Sequence, residues 1–185
     1  MQDAKSGITP IAGTAEGLAA NPEMDEDFLQ FYRENLDGVY YFLLSRVRDA
    51  ADAEDLTSQT FLSAYEHQHR LRDRQKFRAW VFTIARNKSV DFFRKRSRQP
   101  QADLNEAWFF PDESAGLSPD QQDRLISLAS LVSRLSPQEQ EYLQLRLIAQ
   151  LPFAEMARVL RKTEASVKKT YYRILGRLQS QAEEI

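Results

Sequence analysis

Apolar residues in this chain return at steps of three and four, and that spacing limits it to packed helices. Phe28, Phe31, Tyr32, Val39, Phe42, Leu43 and Val47 follow it from Asp25 onward, with Gly38 a candidate irregularity. Phe77, Trp80, Val81, Ile84 and Ala85 follow it again, and Val167, Tyr171, Ile174 and Leu178 once more. Such steps put one apolar stripe on a helix of 3.6 residues per turn. No segment shows strand alternation bounded by hairpin turns. The expected class is all-α, as two small helical domains joined by an acidic linker.

Composition removes several classes of function. The 185 residues contain no cysteine, so a disulfide scaffold, a thiolate metal site and a cysteine nucleophile are excluded; this suits a reducing cytoplasm. No apolar run approaches the length of a membrane span, and the N-terminus lacks a signal-peptide pattern. The two histidines, His67 and His69, lie two apart and share no helix face, so no metal is expected. No nucleophile–base pair or phosphate-cradling glycine loop appears, so no catalytic residue, enzyme activity or cofactor is expected.

The net charge of −2 hides a segregation. Residues 26–98 carry fourteen bases and eleven acids, and 124–185 carry ten bases and six acids. Between them, 99–123 carry six acids and no base. The first basic block is concentrated at its end. From Arg70 to Arg98 there are eleven Lys/Arg against Asp73 and Asp91, which calls for a polyanion or an acidic partner. Within it, Asn87, Asp91, Arg94 and Lys95 recur at i, i+4, i+7 and i+8 and share a face other than the apolar one.

Residues 1–24 are rich in Gly, Ala, Thr, Pro and Asn without period and are expected to form a disordered tail. In the domain at 25–98, Asp52 is expected to N-cap a second helix, with Glu54 and Asp55 in its first turn. Phe61, Ala64 and Tyr65 supply that helix's core face. Asp55, Ser58, Gln59, Leu62 and Glu66 line the other side, which spacing alone reads as a solvated face. Residues 99–118 form the linker, broken by Pro100, Pro111 and Gly116. Trp108, Phe109 and Phe110 inside it either pack on a neighbouring domain or form a docking or occluding segment.

The second domain, 119–185, opens with Ser118-Pro119, and Leu125, Leu128, Ala129, Val132 and Leu135 supply an apolar face. Ser136-Pro137-Gln138-Glu139 reads as a capping box that opens a helix running through Leu147. Pro152 opens the next, with Phe153, Met156, Ala157 and Leu160 inward. Thr163 caps the last. Helix 152–160, a turn at 161–163 and helix 164–180 have the layout of a helix-turn-helix, whose second helix enters the major groove. Ser166, Lys168, Lys169, Tyr172 and Arg173 point outward, combining phosphate-reaching cations with groups that can touch base edges. Arg161 stands where a glycine would ease the turn. If that position needs a positive φ, arginine costs on the order of 1 kcal/mol.

Taken together, these residues resemble a bacterial sigma factor of RNA polymerase of the extracytoplasmic-function type, over about 26–98 and 120–181. Asp52-Ala53-Glu54-Asp55-Leu56-Thr57 with Phe61-Leu62 is similar to the family's helix that docks on the polymerase clamp. Phe77-Arg78-Ala79-Trp80-Val81-Phe82, Ile84-Ala85-Arg86-Asn87, Asp91 and Arg94 are similar to the helix that melts and reads the −10 element. Glu164-Ala165-Ser166-Val167-Lys168 and Arg173 are similar to the −35 recognition helix. Ser58 stands where glutamine is frequent, Leu71 where some members carry an aromatic, and Arg161 where glycine is common.

The resemblance implies three surfaces. Asp52, Glu54, Asp55, Ser58, Gln59 and Leu62 would face core polymerase, its β′ clamp, with the β subunit also contacted. Arg70, Leu71, Arg72, Arg74, Lys76, Arg86, Asn87, Lys88, Asp91, Arg94 and Lys95 would meet the −10 region, Leu71 and Arg72 beside a captured base. Arg161, Lys162, Ser166, Lys168, Lys169, Tyr172 and Arg173 would meet the −35 duplex. It also implies promoter DNA and an anti-sigma factor as partners, a cytoplasmic location, no membrane insertion and no chemistry of its own. A sigma-mimicking decoy for an anti-sigma factor has no need of Arg94, Lys168 or Lys169. A conventional helix-turn-helix regulator has no need of the acidic stripe on 52–66.

Overall fold

The computed structural model describes residues 26–71, 73–97 and 118–183, all of the regular structure among them helical. The tail 1–24, Arg72 and most of the linker, including Trp108–Phe110, lie outside the described residues. Helix α1 spans Glu26–Val47, α2 Ala50–His67, α3 Phe77–Arg96, α4 Pro119–Ser133, α5 Pro137–Leu143, α6 Phe153–Leu160 and α7 Glu164–Ala182.

Helix α1 is unbroken at Gly38. A Cβ there would meet Phe82 Cζ of α3 at 3.4 Å, about contact distance, so the glycine marks a close helix approach, not an irregularity. The turn into α2 takes only Arg48 and Asp49, with Arg48 left-handed at φ 59°. Asp49, not Asp52, is the N-cap. Its side chain accepts from Asp52 N at 2.9 Å, which moves the helix start back three residues and leaves Asp52 in the first turn.

Phe28, Tyr32, Val39, Phe42 and Leu43 of α1, Phe61 and Ala64 of α2, and Phe77, Val81, Phe82 and Ala85 of α3 are buried together. Ring pairs tie α1 to both partners: Tyr32 meets Phe61 of α2 edge-on at 4.7 Å, and two pairs reach α3. Phe31 stacks on Phe77 at 4.6 Å, and Phe42 meets Phe82 edge-on at 5.6 Å. Helix α3 buries more than the expected stripe: Ala79, Phe82 and Ser89 are inside, while Trp80 and Ile84 are half-buried. The reason is that α3 packs against α1 and α2 and also against α6 of the second half.

In that second half Leu131, Val132 and Leu135 are buried, while Leu128 is exposed and Ala129 half-buried, so the apolar face of α4 is narrower than its spacing predicts. The side chain of Leu125 lies outside the described set. The capping box at Ser136 forms with both bonds: Glu139 N donates to Ser136 Oγ at 3.3 Å and Ser136 N to Glu139 Oε2 at 3.1 Å. The α5 helix does not run on to Leu147. It widens into a π turn over Gln144–Ile148, and Gln150 at φ 52° redirects the chain into α6. Met156, Ala157 and Val159 of α6 pack with Val167, Tyr171, Ile174 and Leu178 of α7, the last four as the spacing predicts.

Candidate polymerase and nucleic-acid interfaces

The outer face of α2 carries the first group. Asp55, Gln59 and Leu62 are exposed on one stripe, with Gln59 Nε2 donating to Asp55 Oδ2 at 2.7 Å. Leu62 is 51 % exposed, an apolar side chain among acids and amides. Glu54 is exposed beside them, and Ser58 is half-buried with its hydroxyl donating to Glu54 O at 2.9 Å. Asp52 turns elsewhere: its carboxylate accepts from Arg96 Nη1 of α3 at 3.3 Å.

The connection from α2 to α3 is two single turns of 3₁₀ helix, Gln68–Arg70 and Arg74–Lys76. Asp73 caps the second turn through Gln75 N and pairs with Lys76 at 2.8 Å; the Lys76 bond holds its carboxyl below the ordinary aspartate value. Between this connection and α1 lies a cavity of about 280 Å3. It is lined by Phe28, Phe31 and Phe77 on the apolar side, by Asp27, Gln68, His69 and Arg74 on the polar side, and by Leu71. Arg74 pairs with Asp27 across it.

Along α3, Asn87, Asp91, Arg94 and Lys95 are all exposed on one face, and Arg94 Nη2 reaches Asp91 Oδ1 at 3.1 Å. Lys88 is half-buried. Arg86 does not join that face. Its Nε donates to Glu141 Oε1 of α5 at 3.0 Å, and Arg46 Nη1 of α1 donates to the same oxygen at 2.8 Å. Arg46 also donates from Nε to Ser89 Oγ at 2.8 Å. Burial pushes the Arg46 guanidinium below its ordinary pKa, Glu141 opposes that shift, and Arg86 adds to it. Beside this cluster Gln144 Nε2 donates to Ser45 O at 3.2 Å, and Arg78 Nη2 donates to Ala149 O at 2.7 Å. The contacts between the halves join residues 55 to 99 positions apart, so no local spacing could have revealed them.

The helix-turn-helix is built as its spacing predicts. Arg161 takes the left-handed conformation at φ 53°, ψ 46°, and Lys162 N donates back to Ala157 O at 2.9 Å, which closes α6. Thr163 Oγ1 accepts from Ser166 N at 3.3 Å and starts α7. Arg161, Lys162, Ser166, Lys168, Lys169, Tyr172 and Arg173 are exposed. Lys168 pairs with Glu164 one turn back at 2.7 Å and lies 5.7 Å from the Phe153 ring. Tyr172, 60 % exposed, stands 5.9 Å from that ring. Phe153 was expected inward; it is half-buried, shared between the core and this cationic face.

Residues 31–99 match Sigma-70 region 2 and residues 125–178 match Sigma-70 region 4. The chain is 32 % identical over 154 residues to the ECF RNA polymerase sigma factor SigM of Bacillus subtilis, covering 82 % of this chain and 92 % of that protein. It is 36 % identical over 161 residues to the ECF RNA polymerase sigma factor BldN of Streptomyces coelicolor, covering 82 % of this chain and 58 % of BldN. The chain thus spans little more than half of that relative's length. In fold it is similar to the sigma factor RpoE of Bartonella quintana, seen in complex with the anti-sigma factor NepR, with a TM-score of 0.68 at 22 % identity. That likeness covers 87 % of this chain and 99 % of that one. With region 2 and region 4 both present on an all-helical fold, the chain belongs to the ECF sigma factors of RNA polymerase, which direct promoter-specific initiation of transcription.

Proposed function

We propose that the three surfaces divide the work of initiation as follows. The α2 stripe of Asp55, Gln59 and Leu62, with Glu54 and Ser58 at its edge, docks on core polymerase. Leu62 is its apolar anchor and the acids set its register. Asp52 supports the stripe through Arg96. The α2–α3 connection and the exposed face of α3 take the non-template strand of the −10 element. The exposed residues of α7, with Arg161 and Lys162, take the −35 duplex. RNA synthesis itself belongs to polymerase, and this chain supplies position. The place of action is the cytoplasm, where polymerase and promoter DNA are, and an anti-sigma factor covering these surfaces is the natural regulator.

The observation that carries the −10 assignment is the cavity at Leu71. Half-buried Phe31, with Phe28 and Phe77 buried behind it, gives it an apolar side for one unstacked base, and Gln68, His69 and Arg74 can meet the base's polar edge. Taking a base out of the stack costs a few kcal/mol, and stacking on an aromatic returns about 1–3 kcal/mol. The remainder comes from phosphate contacts to Arg70, Lys76, Arg94 and Lys95 and from polymerase. Transcription by core polymerase with this protein on a promoter library tests the assignment. Asn87→Ala should lower discrimination at the −10 element and leave the −35 preference in place. Unaltered −10 preference in that variant would refute the reading.

A further inference from the structure

Among the described residues of the first half, two large apolar side chains are exposed, Leu62 at 51 % and Val90 at 44 %. Leu62 has its place on the α2 stripe. Val90 lies on α3, directly after buried Ser89, and faces away from the core. Asn87, Val90 and Arg94 recur at i, i+3 and i+7, so Val90 stands on one strip between them, with Asp91 beside it. These polar neighbours are exposed, and Arg94 Nη2 reaches Asp91 Oδ1 at 3.1 Å. A single apolar residue on a solvated face needs no special cause. Here it interrupts the face assigned to the −10 strand.

We infer that Val90 reads a thymine of the −10 strand through the 5-methyl group of the base. The inference rests on the division of labour proposed above and adds to it a specificity-determining contact. Asn87 and Arg94, on the same strip, can sense ring nitrogens, carbonyls and exocyclic amines. Neither senses a methyl group, which is recognised by apolar contact. Valine suits that task. Its branched Cβ leaves one strongly preferred rotamer in a helix, so both of its methyl groups are in place before the strand arrives. Phe93, three positions on and half-buried, packs against the core on the flank of this strip.

The size of the effect fits a selective contact and not a holding one. Full burial of one methyl group is worth about four-fold in affinity. The exposed part of Val90 covers such a group incompletely, so about two- to four-fold is expected. That is too little to hold an opened strand, which the cations do through its phosphates, and enough to favour thymine over other bases at one position.

The test uses the holoenzyme, core polymerase with the full chain, and the −10 element selected from the promoter library. Short non-template strands carry that element with each thymine replaced in turn by uracil. Uracil keeps the hydrogen-bonding edges of thymine and lacks only the methyl group, so Asn87 and Arg94 cannot tell the two apart. Competition binding should be about two- to four-fold weaker for uracil at one position. Val90→Ala should bind the thymine and uracil strands equally there and leave the salt slope unaltered, since no phosphate contact is lost. Val90→Ile should keep the preference. Alanine is a strong helix former, so the exposed site tolerates it. A comparison that needs no variant is 5-methylcytosine against cytosine at the same position, where the methylated strand should bind more tightly by a similar factor. A selected element without thymine, uracil equal to thymine at every position, or a preference that survives Val90→Ala each overturns the inference. So does a loss in Val90→Ala that falls equally on both strands, which would give the side chain to polymerase or to packing. The underlying −10 reading fails by a separate result, the indifference of the holoenzyme to Asn87→Ala.

Discussion

The two helices proposed to face DNA, α3 and α7, are alike in sequence character and unlike in situation. Helix α7 buries a single stripe, Val167, Tyr171, Ile174 and Leu178, and presents its cations to solvent. Helix α3 is packed against α1, α2 and α6, so its bases divide. Arg94 and Lys95 face outward, while Arg78 and Arg86 hold the second half. A reader of duplex DNA needs one stable face and one open face. In the proposed division, the helix assigned to the opened strand sits on the deeper core, and Arg78 and Arg86 on it are committed to the second half.

That contrast is broken most strongly through the core beneath α3. Phe82 is fully buried, meets Phe42 edge-on and lies against Gly38. Phe82→Ala should cost about 3–5 kcal/mol, the range for a buried phenylalanine. Chemical denaturation followed by far-ultraviolet circular dichroism reads it. A loss below about 1 kcal/mol would mean that α3 is not the keystone of the first half.

The open face of α7 is sharpened by charge removal. Lys168→Ala with Lys169→Ala should weaken −35 duplex binding and lower the salt slope by roughly two, about 0.9 for each phosphate left unneutralised on B-form DNA. The same pair should leave single-stranded −10 binding unaltered. Lys168 must exchange its Glu164 partner for a phosphate, so Glu164→Gln alone should slightly tighten duplex binding. A salt slope that does not move would place the duplex on another face.

A smaller effect separates the turn from the helix it serves. Arg161 holds a left-handed conformation that costs a side chain on the order of 1 kcal/mol. Arg161→Gly should therefore stabilise the second half by about that amount. It should also weaken −35 binding if the arginine touches a phosphate. Thermal melting and duplex titration of one variant measure both. Stabilisation without loss of binding would remove Arg161 from the interface.

Much of α7 was legible because one face decides it: capping by Thr163, the buried stripe and the outward residues all follow from local spacing. The start of α2 was not, since Asp49 and Asp52 are equally good caps in sequence. The left-handed Arg48 settles the choice by ending α1 one residue earlier. The π turn at Gln144–Ile148 has no sequence signal, and it carries the chain from Glu141 and Gln144 into α6. Arg46 and Glu141 read locally as an ordinary helix-end base and a helix acid. Only the packing of the halves gives them to each other. Ions paired across 95 residues leave no periodic trace.

The weakest expected effect tests whether the capping box of α5 also braces α7. Glu139 accepts from Ser136 N and Oγ and from Arg177 Nη2 at 2.7 Å. Desolvation is the largest influence on its carboxyl and raises the pKa, but the Ser136 bonds and Arg177 together outweigh it, leaving the value below the ordinary 4.5. A carboxylate with a depressed folded pKa adds stability above its unfolded pKa, and that contribution disappears as pH falls through the folded value. The second half should accordingly lose a small increment of stability only below about pH 4.5, where Glu139 takes a proton and both the cap and the α7 brace weaken. Glu139→Gln should be less stable at neutral pH and should flatten this acid limb, because the amide keeps the shape of the cap without the charge. Arg177→Ala should leave the cap bonds and remove only the brace. If Arg177→Ala alone leaves the acid limb at its full height, Glu139 acts through the cap, and the link between α5 and α7 rests on their apolar faces.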